Sequence, residues 1–173
     1  TNITDQFVFG IEGPNSTSGD PLSTVSATYY LTLRHDNPDA GEPTSGWSLS
    51  VVGDNATVTA ITTDGTIACE SDECIGIGLG ENSFNQTELV SAESNAGECE
   101  GLTGAVSAIV LSVGGDVDVP SHERHLVARI GVAFEIPDTG ESHATLRYVD
   151  GCAGSGQPVN TVVTPGGASV VPV

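Results

Sequence analysis

Apolar and polar residues alternate with a period of two along most of this chain. That spacing puts one face of an extended strand against a core and the other toward water. The clearest run is Val25-Ser-Ala-Thr-Tyr-Tyr-Leu-Thr-Leu33, in which Val25, Ala27, Tyr29, Leu31 and Leu33 share a face. A second is His125 to Ile136, with Leu126, Ala128, Ile130, Val132, Phe134 and Ile136 on one side. Phe7-Val-Phe-Gly-Ile11 opens the pattern. Trp47 to Val51, Thr57 to Ile61, Ala105 to Val113, Ala144 to Val149, Val159 to Val163 and Ser169 to Val173 continue it. Each run predicts a strand. Between them lie Asp36-Asn-Pro-Asp, Asp64-Gly, Gly114-Gly, Pro137-Asp and Pro165-Gly-Gly, residues that supply or preset turn geometry. No stretch holds a 3.6-residue period. About nine strands with one apolar face each must close on one another, and two stacked antiparallel sheets are the usual solution. The expected fold is an all-β sandwich.

At 173 residues and 17.5 kDa the chain has the size of one domain. The pattern divides it into an N-terminal strand (1–11), a linker (12–22) and a sandwich body (23–173). Residues Glu70 to Gly104 are less regular and hold three of the four cysteines. They read as a decorated crossover between sheet edges, with a strand expected at Ile75 to Leu79.

Charge narrows the partners. Four Arg and no Lys face 23 Asp and Glu, a net charge of -19. Such a polyanion lacks the cations that phosphate contacts need, which excludes nucleic acid and anionic membrane surfaces. No apolar run is long enough to insert into a membrane as a helix. A start at Thr1 without an initiator Met fits a mature product cut from a precursor.

Cys69, Cys74, Cys99 and Cys152 form an even set, for which three pairings exist. Cys69–Cys74 with Cys99–Cys152 is the preferred one, because CESDEC reads as a surface turn. Four thiolates on zinc would usually show paired C-x₂-C spacing, which is missing. Disulfides imply an oxidising, extracellular setting. Asn2, Asn15, Asn55 and Asn85 each match the N-x-[ST] acceptor of glycosylation, which fits the same compartment. Unmodified polar loop residues fit these four positions as well.

The order of segments resembles that of cohesin-like modules of secreted and surface bacterial proteins. The resemblance rests on Gly46-Trp-Ser-Leu-Ser-Val-Val, Thr57-Val-Thr-Ala-Ile, and His125-Leu-Val-Ala-Arg-Ile-Gly-Val-Ala-Phe. It continues through Ala144-Thr-Leu-Arg-Tyr-Val-Asp-Gly and Gly166-Gly-Ala-Ser-Val-Val-Pro, and covers roughly residues 5 to 172. It implies a nine-stranded antiparallel jelly-roll sandwich without enzymatic activity, used for protein contact or surface assembly. The chain departs from cellulosomal cohesins in its cysteine-bearing insert and its acidity, and no D-x-[DN]-x-[DN]-G calcium loop occurs.

Chemistry-bearing patterns are sparse. His122-Glu-Arg-His125 is not H-E-x-x-H and reads as a solvated approach to the following strand. No G-x-S-x-G elbow appears, and nothing singles out one carboxylate pair for glycosidic chemistry. No cofactor is signalled other than calcium. Its weak candidate ligands are Asp116 and Asp118, with Asp54-Asn55, Asp36 with Asp39, and Glu70 with Asp72-Glu73 as further loop oxygens. A charged, soluble surface is the commoner meaning of such acids. Trp47, Tyr29 and Tyr148 keep the apolar phase of their strands and are expected in the core, leaving Tyr30 on the opposite phase.

The opening strand carries the functional expectation. Phe7, Phe9 and Ile11 alternate, Val8 lies between them, and burying each large side chain is worth roughly 1.5–3 kcal/mol. A strand so apolar must dock, either on its own body or on a neighbouring copy. Docking on a neighbour would build a homopolymeric fibre by strand addition. The alternative is a module that binds another surface protein, of dockerin type, or a glycan.

Overall fold

The computed structural model describes residues 7–35, 42–67, 85–91, 105–111, 117–119, 123–150, 152–153, 158–159 and 162–165. Among these the chain is all-β, its strand pairings are antiparallel, and no helix occurs. The strands are β1 (Phe7–Glu12), β2 (Thr24–His35), β3 (Glu42–Asp54) and β4 (Thr57–Thr62). They continue with β5 (Asn85–Ser91), β6 (Ala105–Leu111), β7 (Val117–Val119) and β8 (His125–Glu135). The last four are short: β9 (Thr145–Tyr148), β10 (Cys152–Ala153), β11 (Pro158–Val159) and β12 (Val162–Pro165).

One sheet has the order β1-β2-β8-β4. The other is built around β3, which pairs along both edges. On one edge β6 lies opposite Gly46 to Val51, and β7 rejoins that edge opposite Glu42 to Thr44. On the other edge β9 lies opposite Val51 to Asp54, and β12 lies opposite Thr44 to Ser48. β5 extends this sheet beyond β6, and β10 with β11 form a separate small ladder. β5 falls within the stretch read from the sequence as an irregular crossover. Its sequence, NQTELVS, is too polar to announce a strand.

Side chains from both sheets meet in one apolar cluster. Phe7, Leu31, Leu33, Val58, Ile130 and Val132 come from the first sheet, and Trp47, Leu49 and Val51 from β3. Trp47 therefore faces the core as its phase predicts, while Tyr30 is 43% exposed. Two bulges adjust the alternation. In β8, Leu31 pairs with Ala128 and Thr32 with Leu126, so Val127 is the extra residue. Val127 is fully buried and Leu126 only half-buried, which departs from the expectation of a regular strand from Leu126 onward. His125, expected to be solvated, is buried opposite Leu33. In β4, Val58 pairs with Val132 and Ala60 with Gly131, leaving Thr59 as the extra residue. Val58 and Ile61 stand three apart, and the bulge is what lets both enter the core.

Deleting Thr59 should therefore leave a regular strand that still pairs Val58 with Val132 and Ile61 with Ile130. The expected loss is no more than about 1.5 kcal/mol, that of one hydrogen bond to the Gly131 carbonyl. Ile61→Ala should cost about 2–5 kcal/mol. Urea unfolding midpoints of the two variants provide the comparison.

Candidate functional site

β1 docks on β2 of its own chain, from Phe7 opposite His35 to Glu12 opposite Tyr30. Alternation sends Phe7, Phe9 and Ile11 inward: Phe7 is fully buried, and Phe9 and Ile11 pack against the rim of the core. Val8 points to the opposite face and is half-buried opposite Arg34. Among the described residues the first sheet ends at β1, and this strand shields Leu31 and Leu33, both 0% exposed.

A second set of contacts joins β1 to the other sheet. The rings of Phe9 and Tyr148, on β9, lie 5.2 Å apart between centroids and are tilted by 32°. The Tyr148 hydroxyl donates to the Gly10 carbonyl at 2.8 Å. Burial pushes the Tyr148 phenol well above its ordinary value of about 10, so it remains a donor through the alkaline range. Arg124 pairs with Glu12, the last residue of β1, with both side chains about half exposed. An ion pair so wet contributes under about 1 kcal/mol. The aromatic latch outweighs it.

Beyond Glu12 the chain runs from Gly13 to Ser23 without a strand and is exposed over most of its length. It follows the first half of β2, where β1 no longer reaches. Gly13 lies against the Tyr29 ring and Gly19 against Val25, and a Cβ at either position would collide with those side chains. The Tyr29 hydroxyl donates to the Pro14 carbonyl at 2.9 Å. The segment ends with Leu22 N–H donating to the Ile136 carbonyl and Ile136 N–H donating to the Ser23 carbonyl.

The remaining sequence candidates are scattered. Asn15 is exposed in the linker. Asn55 is exposed at a positive φ of 55°, and its side-chain amide donates to the His143 carbonyl at 3.0 Å. Asn85 opens β5, while Asn2 lies outside the described residues. Cys69, Cys74 and Cys99 also lie outside them, as does any pairing among the four; Cys152 opens β10. Asp116 is outside the described residues, and Asp118 sits on β7 opposite Pro43. Asp54 accepts from Arg147 Nε at 3.1 Å. Among the described residues no three His, Cys, Asp or Glu gather as a metal site, and no helix is long and apolar enough to cross a membrane.

Sequence reasoning found the docking strand but missed its latch. Tyr148 is legible only as an inward-facing residue, because its partner Gly10 lies 138 positions away. No protein-family model, curated protein or solved structure matches this chain.

The latch has a pH signature. The folded state holds the Tyr148 proton more tightly than the unfolded chain does. Stability is therefore complete below about pH 10 and falls as pH rises above it, by about 1.4 kcal/mol per unit. Tyr148→Phe should cost about 0.5–1.5 kcal/mol at neutral pH and flatten that alkaline decline. Urea midpoints measured from pH 7 to about 11 on both proteins test the two effects together.

Proposed function

We propose that this chain is a non-catalytic, extracellular structural subunit that assembles with copies of itself by exchanging β1. The two sheets are read as a cohesin-like jelly-roll sandwich, in which β1 completes the groove left at β2. Even cysteine number, four sequons and a Lys-free acidic surface support the extracellular setting.

One observation carries the reading. β1 supplies a fully buried Phe7 to the core, yet among the described residues it pairs with β2 alone and is tethered by an exposed segment without a strand. The same ladder, the same Phe7 site and the same Tyr148 latch would receive β1 from a second copy. Exchange in one direction leaves a free strand at one end and an empty groove at the other. The contact therefore does not close, and the chain of subunits grows into a fibre.

Linker length sets the balance between the two dockings. Glu12 lies opposite Tyr30, six residues along β2 from Thr24, a run of about 20 Å. Removing Asn15 to Asp20 leaves five residues between Glu12 and Thr24, whose reach is also about 20 Å when fully extended. The shortened chain should return to its own groove only under strain, and should favour exchange. Light scattering coupled to gel filtration should show concentration-dependent oligomers for the full chain and a larger oligomeric fraction for the shortened one. Negative-stain microscopy should show fibres. A full chain that stays monomeric at every concentration up to its solubility limit would overturn the assembly reading, whatever the variant does.

A further inference from the structure

A trough runs beside the linker, between it and the segment joining β8 to β9. It consists of two adjoining hollows of about 480 and 600 Å³ that share Asn15, Tyr29, Phe134 and Ala144. Each is within the range of small-molecule sites, about 300–1,000 Å³. The floor is aromatic. Tyr29 and Phe134 are half-buried, with ring centroids 6.3 Å apart and planes tilted by 58°. Tyr29, expected from its phase to be a core residue, thus serves both the core rim and this opening.

The walls are polar and fixed. One is the linker from Asn15 to Gly19, and the other is Gly140 to Ala144. The first is held by the bond from Tyr29 to Pro14. The Asn55 amide fixes the second at His143, and paired bonds between Leu22, Ser23 and Ile136 join linker and floor. A site assembled before its ligand arrives spends less binding energy on ordering.

We propose that this trough binds a neutral saccharide, with the C–H face of a pyranose over Tyr29 and Phe134 and its hydroxyls on the two polar walls. Hydroxyls and amides dominate those walls, which suits a ligand that both donates and accepts. Glu135 and Glu141 border the 480 Å³ hollow, and in the 600 Å³ hollow Arg124 is already paired with Glu12, so an anionic ligand is disfavoured. An organic cation is less favoured than a neutral sugar. Glu141 is exposed and hydrated, and one Glu135 oxygen already accepts from Thr24 at 2.7 Å. This inference does not depend on β1 exchange.

The test is calorimetric titration of the full chain with neutral trisaccharides built from glucose, mannose, galactose or N-acetylglucosamine. A uronic-acid trisaccharide and spermidine serve as charged comparators. Ser142→Trp, at an exposed wall position, places a large side chain at the trough without touching the core. The expected result is saturable binding of at least one neutral trisaccharide, weakened at least about tenfold in Ser142→Trp with an unchanged unfolding midpoint. No binding of the neutral panel at concentrations near about 10 mM would overturn the proposal. Equal binding by Ser142→Trp, or stronger binding of either charged comparator, would overturn it as well.

Discussion

β2 is twice the length of the strand that covers its outer edge: twelve residues against the six of β1. Much of the described structure follows from that mismatch. The half of β2 from Tyr30 to His35 is closed by regular pairing with β1, which puts Phe7 fully inside the core. The other half is followed by a segment that forms no ladder and must instead be held by side chains and by the close approach of two glycines. Where the ladder stops, the space between Tyr29, Phe134 and the linker is left open. A short edge strand and an aromatic-floored trough are two results of one half-covered edge.

The second sheet meets a different requirement. β3 is served by short partners on both sides, so its residues from Gly46 to Val52 are withdrawn from solvent except for the half-buried Ser48. This central position explains why Trp47, the largest side chain of the core, stands on β3. Its neighbours Leu49 and Val51 continue the same face. Tyr148 enters from β9 at the rim and reaches β1, which joins the two sheets on the side where β1 lies.

Strong alternation made β2 and β8 readable from the sequence, and the same signal assigned Trp47, Tyr29, Tyr148 and Tyr30 to the right faces. It failed where the backbone departs from period two. Thr59 and Val127 are bulge residues, and nothing in their side chains distinguishes them from neighbours that pair normally. β5 was missed because an edge strand can be polar on much of its length. For the candidate site, the apolar spacing of Phe7, Phe9 and Ile11 was enough to identify a docking strand. The receiving contacts were not legible, since Tyr148, Arg124 and Tyr29 acquire their roles only when distant segments meet.

The placement of the four arginines also bears on how the protein would be digested. With no lysine, these are the only positions a trypsin-like protease can read. Arg34, Arg129 and Arg147 lie within strands, and Arg147 is further engaged with Asp54. Arg124 alone lies outside a strand, and it is paired with the residue that ends β1. Arg124 is also exposed, and its ion pair is too wet to shield it, so a trypsin-like protease would meet the folded chain first at this position.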